Sequence, residues 1–169
     1  MRASDLRPSF YEKIANEGSE RKHDIVRFSY SGNTATGQCT RREWKGNKPT
    51  VSDSRTLKAE GTTVDMLSAY YLMRTLPYSE WKAGHKETVN IFSGKRKELL
   101  TIEYHGIQTV KTENREFQCY YISFIFTSDG KKKTSDDMEA WITTDSRRIP
   151  VRLEGKLPVG KVQCFYTGS

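Results

Sequence analysis

Val64-Asp65-Met66-Leu67-Ser68-Ala69-Tyr70-Tyr71-Leu72-Met73-Arg74-Thr75-Leu76, closed by Pro77, is unlike the rest of the chain. Wound at 3.6 residues per turn, Met66, Leu67, Ala69, Tyr70, Tyr71, Leu72, Met73 and Leu76 cover almost the whole circumference. A helix apolar all round is normally buried. Thr62 or Thr63 is placed to cap it, and Asp65 falls in its first turn, where a carboxylate suits the positive helix end. Pro77 stops it. The spacing predicts a helix over 63–76. About 14 residues at 1.5 Å each reach roughly 21 Å, enough to cross the inside of a curved sheet.

Around this segment the apolar residues repeat at every second position, as strands require. Residues 1–23 read as irregular, with Pro8 and Gly18. Val26, Phe28 and Tyr30 then share one face of a strand over 24–30. Ser31-Gly32-Asn33 turns the chain into a second strand over 34–43. Trp44-Lys45-Gly46-Asn47-Lys48-Pro49 reads as a loop before a weak strand over 50–57. Beyond the helix, strands are expected over 86–92, 98–105, 107–112, 117–126, 137–144, 148–157 and 161–166. Met138, Ala140 and Ile142 alternate with Glu139, Trp141 and Thr143. Pro150 lacks a donor, so its strand is expected at an edge or at a bulge. The fold class is therefore mainly β, a β-rich α+β domain over 1–169. Its meandering antiparallel sheet, curved or half-barrel in shape, is expected to pack around one buried helix.

Composition narrows the function. The chain has 169 residues, 35% hydrophobic, 29% charged and 11% aromatic. No apolar run approaches the ~20 residues of a membrane-spanning helix. The net charge of +7 is spread along the chain. Lys131-Lys132-Lys133 is flanked by Asp129 and by Asp136-Asp137, and reads as a solvated hairpin tip; nucleic-acid partners are not expected, because their footprints cluster more strongly. Cys39, Cys119 and Cys164 lie far apart and share no ligand spacing with His23, His85 or His105, so no metal site and no catalytic thiol are expected. No cofactor fingerprint, P-loop or nucleophile elbow occurs, and no enzyme activity is expected.

Two stretches carry a resemblance. One is the helix segment 64–76. The other is Trp141-Ile142-Thr143-Thr144-Asp145-Ser146-Arg147-Arg148-Ile149-Pro150-Val151-Arg152-Leu153-Glu154-Gly155-Lys156-Leu157-Pro158-Val159-Gly160-Lys161-Val162, with Phe117-Gln118-Cys119 between them. In this order the chain resembles a family of exported bacterial proteins, domain-of-unknown-function family 3108, over nearly its whole length. The resemblance implies export to the periplasm or outer membrane of a Gram-negative envelope and a β-rich fold, and implies no catalytic residues. Met1-Arg2-Ala3-Ser4-Asp5 lacks an apolar stretch, so no signal peptide is expected within these residues. Similarity in shape to half-barrel lipoprotein carriers is expected by analogy. About two further strands are expected before a segment like Asp5-Leu6-Arg7-Pro8, so this chain reads as a shortened copy with an exposed sheet edge.

The candidate ligand-binding residues are Tyr70, Tyr71, Met73, Arg74 and Trp141, as the lining of an apolar cavity with a guanidinium for an anionic head group. Each also reads as structure. The aromatics suit an ordinary core, and Arg74 suits an ion pair or the helix C-terminus. Arg148 and Arg152 are expected to share a strand face, as a surface for an acidic partner or as its solvated side. The leading expectation is a non-enzymatic envelope protein that binds a lipid-like or apolar molecule, or an envelope protein partner, on the concave face of its sheet. The alternative is a structural or interaction protein with a filled core. A hydrolase with convergent carboxylates ranks last.

Overall fold

Period-two alternation builds a chain of strands broken by one helix among the described residues. The structure, a computed structural model, describes residues 6–112, 115–128, 131–132, 138–156 and 160–168. The strands are β1 (Phe10–Glu17), β2 (Glu20–Ser31), β3 (Thr34–Lys45), β4 (Lys48–Glu60), β5 (Thr63–Val64), β6 (Lys86–Ser93), β7 (Arg96–Lys111), β8 (Glu116–Ser128), β9 (Lys131–Lys132), β10 (Met138–Thr143), β11 (Pro150–Lys156) and β12 (Lys161–Phe165). The helix α1 spans Met66–Met73, and a 3-10 turn follows at Tyr78–Glu80. One sheet has the order β1-β2-β3-β4; the other has β12-β11-β10-β8-β7-β6-β5, with β9 on β8. Neither order closes on itself. The described residues are thus mainly β with one α-helix, as expected.

The contacts divide it into two units, Met1–Tyr71 with Val89–Glu98, and Leu72–Thr88 with Leu99–Ser169. In the first, β1 to β4 pair antiparallel in sequence order. Their core is Tyr11, Val26, Ala35, Cys39, Ala59 and Phe92, with Phe28, Tyr30, Leu57 and Met66 against it. Gly37 makes room for Phe92, because a Cβ there would stand 2.6 Å from the ring. Arg41 donates to both oxygens of the buried Asp24, at 2.5 and 2.7 Å. Gly94, at φ 58°, packs on that pair; a Cβ would lie 2.7 Å from Asp24 Oδ2. β5 pairs in parallel with β6 through Asn90 and Ile91.

In the second unit β8, β10, β11 and β12 pair antiparallel. Ile122, Ala140 and Leu153 are register partners on one face, and Tyr121, Trp141, Arg152 and Phe165 on the other. Pro150 is the first residue of β11 and faces Ile142 at a bulge between Trp141 and Ile142. The β12 ladder begins only at Arg152. Pro150 therefore meets a strand on one side, at a bulge, where its missing N–H leaves no gap in the ladder.

Four expectations are corrected. Residues 10–17 form a strand rather than an irregular lead; β1 buries only Tyr11 among its apolar residues, so no alternation marks it, and the ladder to β2 holds it. Trp44–Pro49 is not an open loop, since β3 and β4 pair up to Lys45 and Lys48 around the tip. β7 runs unbroken through Gly106, whose φ of 112° only this residue type adopts easily. The helix is shorter than 63–76 and is not covered all round: Leu67 is 62% and Tyr71 54% exposed, while Ala69 and Met73 are buried. Thr63 lies in β5, and Asp65 is the cap. Its Oδ1 accepts from the N–H groups of Leu67 and Ser68 at 2.8 and 3.0 Å, and the Ser68 hydroxyl donates to Oδ2 at 2.6 Å. Three further features lie wholly or partly outside the described residues: the Lys131-Lys132-Lys133 tip (Lys133 and all three side chains), Asp136-Asp137 and Pro158-Val159.

Candidate functional site

A chain of specific contacts in the second unit converges on the turn between β10 and β11. Thr143 and Ile149 bracket it: the Thr143 N–H donates to Ile149 O, and the Ile149 N–H donates to Thr143 Oγ1, both at 2.9 Å. Asp145 accepts from the Thr143 hydroxyl at 2.6 Å and from Arg147 Nε at 2.9 Å. Those hydrogen bonds, Thr143 first, hold its carboxyl below the usual range. Arg74, just beyond the helix, donates from Nε to Arg148 O at 2.8 Å and from Nη2 to Arg147 O at 2.9 Å. A planar fork spans two successive carbonyls in a way an ammonium cannot.

This frame holds Arg148 in a left-handed backbone conformation, φ 49°. For a residue with a Cβ that conformation costs about 1–2 kcal/mol, and it decides where the side chain goes. The guanidinium carbon lies 4.5 Å from the Tyr120 ring centre and 5.9 Å from that of Tyr78. Tyr78 is fully buried and donates its hydroxyl to Met73 O at 2.6 Å. Burial pushes its phenol well above the usual value, and the Arg148 charge opposes this. Around Tyr78 stand Trp81, edge-on at 5.1 Å, Tyr120 at 5.2 Å and Tyr104 at 5.7 Å. The half-buried Trp81 stacks on the exposed His85 at 4.2 Å, on the solvent side of the cluster. Arg148 Nη1 is buried and has no hydrogen-bond partner among the described residues.

The opposite sheet face carries a second arrangement. Tyr121 stacks on Trp141 at 4.8 Å, the Arg152 guanidinium lies 4.6 Å above the Trp141 ring and 5.6 Å from Phe165, and Trp141 Nε1 donates to Gln108 at 2.9 Å. Glu154, itself buried, pairs with Arg152 and Lys161 and accepts from Gln163. Tyr121 donates to Glu139 at 2.7 Å; burial and that carboxylate push its phenol up to about 12.

The sequence candidates thus separate. Met73 accepts from the Tyr78 hydroxyl, Arg148 lies over the Tyr78 ring, and Arg74 holds the Arg148 carbonyl. Trp141 and Arg152 meet each other on the other face. Tyr70 and Tyr71 belong to the first unit, Tyr70 half-buried and Tyr71 exposed. Arg148 and Arg152 do not share a face: one lies on Tyr120, the other on the partner of Tyr121, and consecutive strand residues point oppositely. Arg148 precedes the strand, and its left-handed backbone breaks the alternation. Tyr78, Trp81, Tyr104 and Tyr120 were not among the candidates. Pro77-Tyr78-Ser79-Glu80-Trp81 reads as a loop after a helix stop; the available signal was aromatic recurrence on the inner positions of 98–105 and 117–126. Lys95-Arg96-Lys97 is a further basic run, and its Lys95 is held by Asp53 at 2.9 Å. No cluster of three or more His, Cys, Asp or Glu able to hold a metal ion occurs among the described residues, and no described helix is long and apolar enough to cross a membrane.

Compared with known families, residues 1–165 match the family described as protein of unknown function, DUF3108. Neither a curated protein nor a solved structure matches the chain.

Proposed function

We propose that this chain, which belongs to the DUF3108 family, is a non-enzymatic binding protein of the bacterial cell envelope that holds a lipid-like molecule against the aromatic cluster of its second unit. The observation that carries this reading is the gathering of Tyr78, Trp81, Tyr104 and Tyr120 from a loop and two strands, with the half-buried Trp81 and the exposed His85 on its solvent side. Aromatic walls with a few placed polar groups are the usual lining of small-molecule sites. No group in the cluster is arranged as a nucleophile with an adjacent base, so the reading is retention rather than turnover. The envelope location follows from the resemblance to exported proteins.

A structural role is the second reading. Tyr78 is wholly buried and its neighbours stand at contact distances, which suits a filled core. Native mass spectrometry of protein purified from its own envelope separates the two. A retained molecule of lipid mass supports binding, and a bare chain mass across repeated preparations supports the structural role. Fractionation of the same cells tests export: a periplasmic or membrane-associated pool is expected, and a wholly cytoplasmic one contradicts it.

A further inference from the structure

We infer that Arg148 anchors the head group of the bound molecule and that this head group is a single carboxylate. The inference rests on the reading that the aromatic cluster takes an apolar ligand.

A guanidinium offers two kinds of surface. Its flat faces suit aromatic rings, and its in-plane N–H groups suit the two oxygens of a carboxylate. In Arg148 the guanidinium carbon lies over the Tyr120 and Tyr78 rings, while buried Nη1 meets no acceptor. A buried donor left unpaired forfeits the hydrogen bonds it makes to water, and native structures retain few of them. The turn offers no internal remedy. Its one carboxylate, Asp145, is occupied by Thr143 and Arg147. Arg74 occupies the carbonyls of Arg147 and Arg148. The chain thus fixes Arg148 with a strained backbone and a second arginine, yet leaves its buried Nη1 unmet beside aromatic rings. An acceptor from outside completes the arrangement. Its charge is set by what remains free: Arg147 is neutralised by Asp145, so one guanidinium faces the ligand. One positive charge matches a monoanion; a phosphate dianion would bring a second charge without a partner.

The test is titration calorimetry below the micelle concentration, with dodecanoate, its methyl ester and dodecyl phosphate as probes. The full chain is compared with Arg148→Gln and Arg148→Lys, each first shown folded by its urea midpoint. The native protein is expected to bind dodecanoate about tenfold or more tighter than the ester, a factor worth about 1.4 kcal/mol. Arg148→Gln should bring that ratio to about one while keeping the ester's affinity. Arg148→Lys, charged but without the fork, should fall between. Equal binding of acid and ester by the native protein overturns the anchor and leaves the apolar-ligand reading standing. No binding of any probe overturns both. Tighter binding of the phosphate than of dodecanoate overturns the carboxylate assignment.

Discussion

Replacing Leu67 and Met73 by alanine, one at a time, tests how the helix is buried. Both residues sit on the same eight-residue helix and both look like core in the sequence. Leu67 is 62% exposed and Met73 only 2%. Full burial of such a side chain contributes about 1.5–3 kcal/mol. Little more than a third of Leu67 is shielded, so its truncation loses about 0.5–1 kcal/mol, and alanine's better helix propensity returns a few tenths. No closed cavity forms, because water already reaches the site. Met73 loses its transfer term and leaves a void, at a cost of about 2–5 kcal/mol. Urea unfolding followed by far-ultraviolet circular dichroism, with unchanged denaturant slope, gives both values. The Met73 variant should be less stable than the Leu67 variant by at least about 1 kcal/mol. A Leu67→Ala cost above about 2 kcal/mol, or a Met73→Ala cost below about 0.5, would refute one-sided burial of the helix.

Tyr78→Phe should cost about 1–3 kcal/mol, since it leaves the Met73 carbonyl at the helix end without its donor; urea unfolding reads the loss, and a neutral result would mean that bond is unimportant. Asp65→Ala removes the acceptor of two N–H groups and of the Ser68 hydroxyl, and should cost about 1–2 kcal/mol in the same assay; no change would mean the helix is not capped this way. Burial pushes the Cys39 and Cys119 thiols up to about 11. A raised value keeps a thiol protonated, so at pH 8 only about a thousandth of each is thiolate. With Cys164 exposed, a colorimetric disulfide reagent should modify one thiol quickly in the native protein and three after denaturation. Three fast thiols at the outset would contradict that burial.

The strand-rich fold was legible because half-buried strands write their alternation into the sequence: Val26 with Phe28, and Ala140 with Ile142, mark inner faces directly. β1 was not, because a strand that buries little beyond Tyr11 is held by backbone pairing, which side-chain pattern does not report. The helix segment misled on burial because an apolar circumference states what a helix tolerates rather than what covers it. Pro150 was informative for the opposite reason: a missing donor restricts pairing wherever the strand lies. At the candidate site, Arg74 and Arg148 were singled out as charges, but their relation was not visible. It depends on a left-handed residue that is not glycine and on carbonyls of a turn 73 and 74 residues away. Tyr78 was hidden in a segment whose proline reads only as a helix stop.

The measurement closest to the central claim is a nuclear magnetic resonance titration of the isotope-labelled chain with dodecanoate, read at the aromatic side chains. Saturable shifts at Tyr120, Trp81 and Tyr104 at one equivalent, with Trp141 on the opposite sheet face unmoved, are the predicted result. Unchanged aromatic signals in the cluster at saturating probe, or shifts confined to Trp141 and Tyr121, would contradict it.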